Sequence, residues 1–300
     1  MKSGFVGIVG RPNVGKSTLL NAILGEKIAI TTAKPQTTRN TIRGIYTRLD
    51  EDDDGIQMVF IDTPGIHKPR NKLGEFMTDA AIGTFNEVDA IIFIVDSAIE
   101  KGPGDRYILD LLKEIRTPKI LVINKIDQMP PDEFEGIYRT YDEMGVFADI
   151  FGVSALEGTN VPELIDCVGG YMEEGPMFFP EDMITEDPVR FIASEIIREK
   201  ILLYMEDEIP HGVAVEIEEF AEEENMTRIS AVIYCERKSH KGMIIGKGGR
   251  KLKGIGKSAR EELEALLGTR VFLQTWVKVR ENWRDSDIAL SNFGYKEERR

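Results

Sequence analysis

The chain has 300 residues, of which 42% are hydrophobic and 30% charged, and a formal net charge of −14. That length is long for one hydrophobic core, so two domains are expected, in a chain whose composition is that of an ordinary globular protein. The apolar runs at 90–95 and 120–123 fall far short of the roughly 18 residues a membrane-spanning helix needs, and MKSGFVGIVG lacks the regions of a signal peptide, so a cytoplasmic protein is expected.

In chain order, an apolar strand at 5–9 runs into GRPNVGKS at 10–17, and a helix is expected over 16–24. Residues 41–49 and 56–61 read as a hairpin whose acidic tip, DEDDDG, is solvated and carries no chemistry. Further strands are expected at 90–95, 119–123 and 150–153, each separated from the next by a helical segment. Such alternation implies an α/β fold with a doubly wound, mainly parallel sheet and ligand loops at the carboxyl ends of its strands.

Those ends carry the motifs. Gly10, Arg11, Pro12, Asn13, Val14, Gly15, Lys16 and Ser17, continuing to Thr18, fit G-x-x-x-x-G-K-[ST] between a strand and a helix. Backbone N–H groups there can curl around phosphate, with Lys16 on the β and γ phosphates and the Ser17 hydroxyl on magnesium. Asp62, Thr63, Pro64 and Gly65 end the next strand, so Asp62 can face the magnesium through water and the Gly65 N–H can meet the γ-phosphate. Asn124 and Lys125 lead to Asp127, whose carboxylate can accept from guanine N1–H and its 2-amino group. Adenine offers neither donor, and sites of this kind discriminate by about 10⁴ to 10⁵. Ser154, Ala155 and Leu156 complete the base-binding wall, with the Ala155 N–H toward guanine O6.

Residues 173–188, EEGPMFFPEDMITEDP, show no sustained period and read as a linker, which places a first domain at 1–175, the linker at 176–188 and a second domain at 189–300. Beyond it come a helix (189–205), strands at 213–220 and 228–235, GMIIGKGG at 242–249, a helix to 267 and a strand at 271–279. From 236 to 280 there are 12 Lys/Arg against 4 Asp/Glu, a basic island that suits a polyanion partner.

The second glycine loop has no serine or threonine where magnesium would need one, so a second nucleotide site is not expected. On the helix after it, Leu252, Ile255, Ala259, Leu263 and Leu266 share one face and Arg250, Lys253, Lys257 and Arg260 the opposite one. Gly254 and Gly256 fit either loose packing or close approach of a polyanion backbone. Phe272 and Trp276 are expected to pack. Cys167, Cys235 and the three histidines belong to no metal-binding spacing, and two buried thiols are expected.

GRPNVGKS, DTPG, NKID and SAL together resemble the translation-factor-like branch of P-loop GTPases. The resemblance implies a threonine in TTAKPQTTRN that closes on magnesium when GTP is bound; Thr38 is chosen, with Thr37 as the alternative, because relatives place that threonine directly before a basic residue. Ras-like enzymes carry a glutamine where this chain has Ile66, which implies slow intrinsic hydrolysis. In similar GTPases the asparagine at the position of Asn13 helps hold a potassium ion beside the phosphates. The catalytic set is therefore Lys16, Thr38, Gly65 and Asn13, and the magnesium set Ser17, Thr38 and Asp62.

The order helix, strand, strand, helix, helix, strand around GxxG resembles a type II KH domain, whose loop clamps single-stranded nucleotides. Ile244, Ile245, Gly246, Lys247, Gly248, Gly249, Arg250, Lys253 and Lys257 are its candidate RNA-binding residues. With PQTTR, DTPGIHKPRNKLGEFM and IIGKGGRKLK placed as they are, the whole chain resembles the Era-type bacterial GTPases. That implies GTP/GDP, Mg²⁺ and K⁺ as cofactors, a monomer binding small-subunit (16S) rRNA near its 3′ end, assistance to small ribosomal subunit maturation, and peripheral association at the inner membrane face. Two rivals remain: a nucleoside-type kinase, which has no use for NKID, and an RNA-binding module whose nucleotide is structural.

Overall fold

The computed structural model describes residues 1–50, 55–96, 103–205 and 210–295; most of the acidic hairpin tip (51–54) and the last residues of the tail (296–300) lie outside them. The chain divides into two units, one of Met1–Ala29, Thr38–Pro69 and Met77–Glu186, the other of Ile30–Thr37, Arg70–Phe76 and Asp187–Arg300.

The first unit contains β1 (Lys2–Gly10), α1 (Lys16–Leu24), β2 (Ile42–Leu49), β3 (Gly55–Asp62), most of α2 (Lys72–Gly83), β4 (Ala90–Val95), α3 (Pro103–Lys113), β5 (Lys119–Asn124), α4 (Pro131–Asp142), β6 (Asp149–Val153), α5 (Val161–Gly170) and the short β7 (Glu173–Glu174). The sheet runs β2-β3-β1-β4-β5-β6. β2 is antiparallel to β3, and the other pairs on that path are parallel. AIIFIV in β4 and KILVIN in β5 are buried at every position, as strands covered on both faces must be. The register matches Ile8 with Asp62, Gly10 with Ile94 and Asn124 with Val153, so the motif-bearing strand ends fall along one edge.

The linker expected at 176–188 changes for residues 176–186, which pack along the first unit as 173–175 do. β7 pairs with β1, the Gln57 side-chain oxygen accepts from the N–H groups of Phe178 (2.7 Å) and Phe179 (3.0 Å), and the Ile45 N–H donates to Ile184 O at 2.9 Å. The physical reason is unmet backbone hydrogen bonding: the outer edge of β2 takes residues 184–185, the start of β1 takes β7, and the buried Gln57 amide takes the N–H groups between them.

The second unit contains α6 (Val189–Tyr204), β8 (Ala214–Glu223), β9 (Met226–Cys235), α7 (Lys238–Ile245), α8 (Arg250–Leu267), β10 (Arg270–Val279) and α9 (Asp287–Asn292). β8 and β9 form an antiparallel hairpin, and β10 joins β9 in parallel as an edge strand. Ile196, Ile197, Ile201, Ile229, Ile233, Ile244, Ile255 and Leu263 make its core.

Four expectations change here. Residues 242–245 close α7 instead of belonging to the loop, so the glycine turn is confined to 246–249. Leu266 is exposed, one step beyond the end of the apolar face. Phe272 and Trp276 do not pack: they are 43% and 45% exposed, because β10 alternates and Val271 and Val277 take the core face. Cys235 is buried as expected, whereas Cys167 is only half-buried, and both are free thiols.

Candidate functional site

The first glycine loop is shaped by backbone geometry that few residues allow. Gly15 has φ +104°, and a Cβ there would lie 2.2 Å from Asn124 Nδ2. α1 starts at the next residue, so its free N–H groups face the loop. A Cβ on Gly65 would lie 2.6 Å from Pro12 N, so only glycine lets the DTPG turn close on the loop.

Lys16 is buried, and its Nζ donates to Arg11 O at 2.8 Å and Gly10 O at 3.2 Å. Burial lowers its pKa to about 8 despite the nearby Asp62 carboxylate, so at neutral pH the ammonium is charged and oriented toward the cradle. The Ser17 hydroxyl donates to Asp62 Oδ2 at 2.6 Å and lies 2.8 Å from Thr38 Oγ1, which is itself 3.3 Å from Asp62 Oδ2. Asp62 is fully buried, and burial raises its pKa to about 6 against the pull of Lys16, Ser17 and Thr38. Its Oδ1 has no hydrogen-bond partner. Two hydroxyls beside a desolvated carboxylate with an orphaned oxygen form an all-oxygen donor set that fits Mg²⁺. No cluster of three His, Cys, Asp or Glu stands among the described residues.

Of the two threonines, Thr38 enters this cluster. Thr37 Oγ1 instead donates to Lys34 O at 2.6 Å and lies 2.7 Å from Thr32 Oγ1. Thr63 is buried with Oγ1 donating to Ile8 O at 2.8 Å, so it shapes the turn beside Pro64. Ile66 is fully buried in the core and cannot orient a water. Asn13 sits exposed at φ +66°, while Thr18 lies half-buried in the first turn of α1.

At the base end, Asn124 holds the loops together. Its Nδ2 donates to Val14 O at 2.8 Å and its Oδ1 accepts the Ala155 N–H at 3.0 Å. The Ala155 N–H, expected to face guanine O6, is therefore engaged by Asn124, as a buried N–H requires a partner. Asp127 is exposed, and the Ser154 hydroxyl holds its pKa below the usual carboxylate range. Leu156 is exposed.

Two acids escaped the sequence reading. Lys125 Nζ donates to Asp96 Oδ2 at 2.6 Å and to Asn13 O at 2.9 Å. Arg11 donates from Nη2 to Asp96 Oδ1 at 3.0 Å and from Nε to the buried Asp105 Oδ2 at 2.6 Å. Asp96 thus joins the phosphate loop to the base motif. Its signal was available: like Asp62, it stands where an apolar strand ends.

The second loop has a different donor set. Gly246, Gly248 and Gly249 have φ of +71°, +59° and +75°, a turn suited to glycine, and the Gly249 N–H closes it on Gly246 O at 3.1 Å. Beside it a groove of about 750 Å³ is floored by Leu252, Gly254, Gly256, Leu273 and Thr275 and rimmed by Arg250, Lys253, Lys257 and Arg260. Gly254 approaches the Tyr204 ring, where a Cβ would lie 3.0 Å away, while Gly256 leaves the groove open. Arg260 pairs with Glu264 and Lys257 with Glu261, so part of the basic stripe is already neutralised. Ile244 is buried and Ile245 packs against the core beneath. The Lys247 side chain stands on the exposed turn.

A family model described as a 50S ribosome-binding GTPase matches residues 5–125, and a KH domain model matches residues 208–284. The chain is similar to the GTPase Era of Clostridioides difficile (strain 630), 58% identical over 299 residues and covering 99% of each chain. It is also similar to the GTPase Era of Alkaliphilus oremlandii (strain OhILAs), 57% identical over 98% of this chain and 99% of that one. Among solved structures, an Aquifex aeolicus Era variant bound to GDP·AlF4− is similar at TM-score 0.92 and 41% identity, covering 98% of this chain and 99% of that one. Era in complex with MgGDPNP and nucleotides 1506–1542 of 16S ribosomal RNA is similar at TM-score 0.93 and 40% identity, with the same coverage. With both motif sets in place and identity of this order over nearly its full length, the chain belongs to the Era family of GTPases.

Proposed function

We propose that the chain is a GTP-hydrolysing switch whose second unit grips single-stranded 16S rRNA near its 3′ end and so assists small ribosomal subunit maturation. The observation that carries this is the contrast between the two glycine turns. The first holds an ammonium, two hydroxyls and a carboxylate, as a free triphosphate with its counter-ion needs. The second offers a glycine turn with Gly248 exposed, beside an apolar groove with a basic rim, as a polymer backbone and its bases need.

At the first turn, Lys16 binds the β and γ oxygens, and the loop N–H groups follow the phosphates. Asp127 reads guanine N1–H and the 2-amino group, while Lys125, fixed by Asp96, lies alongside. Mg²⁺ held by Ser17, Thr38 and, through water, Asp62 supplies charge neutralisation on the β and γ oxygens. In hydrolysis a water oxygen bonds to the γ-phosphorus as the bond to the β–γ bridging oxygen breaks, and the water's proton passes to an oxygen of the released phosphate. Lys16 and the Gly65 N–H stabilise the charge that shifts onto these oxygens. Because Ile66 is a buried apolar side chain, nothing at that position orients the water, and the unassisted rate is slow, about 10⁻⁴ to 10⁻² s⁻¹. Asn13 is the candidate ligand for a potassium ion that raises it. Peripheral association with the inner membrane face rests on the family resemblance alone; no helix among the described residues is long and apolar enough to cross a membrane.

The test is affinity for a 3′-terminal 16S rRNA oligonucleotide, measured with GDP and with a non-hydrolysable GTP analogue at fixed salt. Tighter binding with the analogue is expected, weakening as salt rises. Equal affinity in the two states would leave an RNA-binding module whose nucleotide is structural.

A further inference from the structure

Within the second unit, α6 buries a run of charges where a packed helix would ordinarily be apolar. Glu195, Arg198 and Glu199 are 6%, 1% and 2% exposed. Their bonds lead to segment Ile30–Thr37, the stretch that ends one residue before Thr38. Arg198 Nη2 donates to Thr37 O and Nη1 to Gln36 O at 3.5 Å, while Nε donates to Glu195 Oε1 at 2.8 Å. At the other end of the segment, Glu199 Oε1 accepts the Thr31 N–H at 2.9 Å. Glu199 Oε2 accepts Lys200 Nζ at 2.8 Å, and the same ammonium reaches Glu262 on α8, the helix that starts at the RNA-side glycine turn.

Buried ion pairs add little net stability over apolar side chains of the same size. These reach main-chain groups at both ends of one loop, which apolar side chains could not do. Gln36 stands at φ +61°, a backbone conformation that needs outside support in a residue other than glycine, and Arg198 supplies it at the two carbonyls just before Thr38.

We propose that Arg198 and Glu199 are positioning residues for Thr38, holding segment 30–37 in the form that delivers the Thr38 hydroxyl to Ser17 and Asp62, and that Lys200 and Glu262 extend the same network to α8. The proposal rests on the reading of the chain as a GTP-dependent RNA binder, and it places the coupling in four named side chains. Coupling of this kind is reciprocal, so RNA and the triphosphate state must favour one another by the same factor.

The test uses the full-length chain. Dissociation constants for fluorescent GDP and a non-hydrolysable GTP analogue are measured with Mg²⁺ for the wild type, Arg198→Met, Arg198→Lys and Glu199→Ala. Thr38 contributes only when the γ-phosphate is present. The analogue should therefore bind about tenfold more weakly to Arg198→Met and Glu199→Ala, with GDP affinity held within about twofold, as expected for loss of a charge-assisted hydrogen bond. Arg198→Lys keeps the charge but on a single nitrogen in place of the guanidinium fork, and should fall between. Glu262→Gln should leave nucleotide preference unchanged without RNA and shrink the difference in RNA affinity between the two nucleotide states.

An equal fall for GDP and the analogue would mark the network as merely structural and overturn the proposal, as would unchanged affinities. Should Arg198→Met not fold, the affinity ratios of Arg198→Lys and Glu199→Ala decide. If the wild type binds RNA equally in both nucleotide states, the function proposed above fails, while the positioning of Thr38 still stands or falls on the nucleotide ratios.

Discussion

Asn124→Ala separates a residue that holds the site together from one that reads the base. The Asn124 amide is buried and makes two bonds, to Val14 O at 2.8 Å and from the Ala155 N–H at 3.0 Å. Truncation leaves one backbone acceptor of the phosphate loop and one backbone donor of the base loop without partners. A buried polar group left unpaired costs about 1–3 kcal/mol, so the two together cost about 2–6 kcal/mol. For a domain of this size, the lower end lowers the melting midpoint by about 4–8 °C, since each kcal/mol shifts it about 2–4 °C. GDP affinity should fall with it, because both loops lose their fixed separation. The preference for guanine over adenine should survive if Asp127 reads the base as proposed. The assay is a melting curve with titration of fluorescent GDP and competition by ATP. If affinity and the guanine preference were lost with the melting point unchanged, Asn124 would be touching the base directly and the reasoning would be wrong.

Lys16 gives a pH prediction with two opposite signs. Its pKa is lowered to about 8 from 10.5 by burial, so the unfolded chain holds the extra proton between those values and the stability of the nucleotide-free protein gains from this group as pH rises through that window. Phosphate binding needs the ammonium, so GDP affinity measured with Mg²⁺ chelated should be level near pH 7, above the ligand's own phosphate ionisation at about 6, and fall by up to about tenfold per unit above about 8; a flat profile from pH 7 to 10 would show that Lys16 does not meet the phosphates. The potassium hypothesis predicts GTP turnover about tenfold or more faster in KCl than in equimolar NaCl, below the roughly 10³–10⁵ of an arginine finger, with the difference lost in Asn13→Ala. Equal rates in the two salts would remove Asn13 from the catalytic set.

Much of the first site was legible because its chemistry sits at strand ends, where an apolar run stops at a glycine, an aspartate or an asparagine. Periodicity locates those ends, and spacing does the rest. Asp96 has the same signature but lacks a motif of its own, and Asp105 lies in a helix turn that nothing marks, so their grip on Arg11 and Lys125 appears only in three dimensions. The α6 charges were hidden in a different way. Glu195, Arg198, Glu199 and Lys200 have the spacing of solvated pairs on a helix face, yet all four are buried, and Arg198 and Glu199 bond to a segment some 160 positions earlier in the chain. Local pattern carries no record of such a partner. RVFLQTWVKV in β10 has large apolar residues on both faces, so alternation alone could not say whether Phe272 and Trp276 or Val271 and Val277 would face the core.

The most direct test of the division between the two glycine turns is a paired binding measurement on Asp127→Asn and Gly248→Asp. Gly248 has φ +59° and nothing lies within 4 Å of the position its Cβ would take, a conformation aspartate tolerates, so the second variant should fold and place a negative charge where the RNA backbone would lie. Asp127→Asn should lose GTP affinity while its RNA affinity, measured without nucleotide, stays at the wild-type level; Gly248→Asp should keep GTP affinity and lose RNA. If Gly248→Asp weakened GTP binding in the absence of RNA, or bound the 16S oligonucleotide as the wild type does, the two turns would not hold different phosphates.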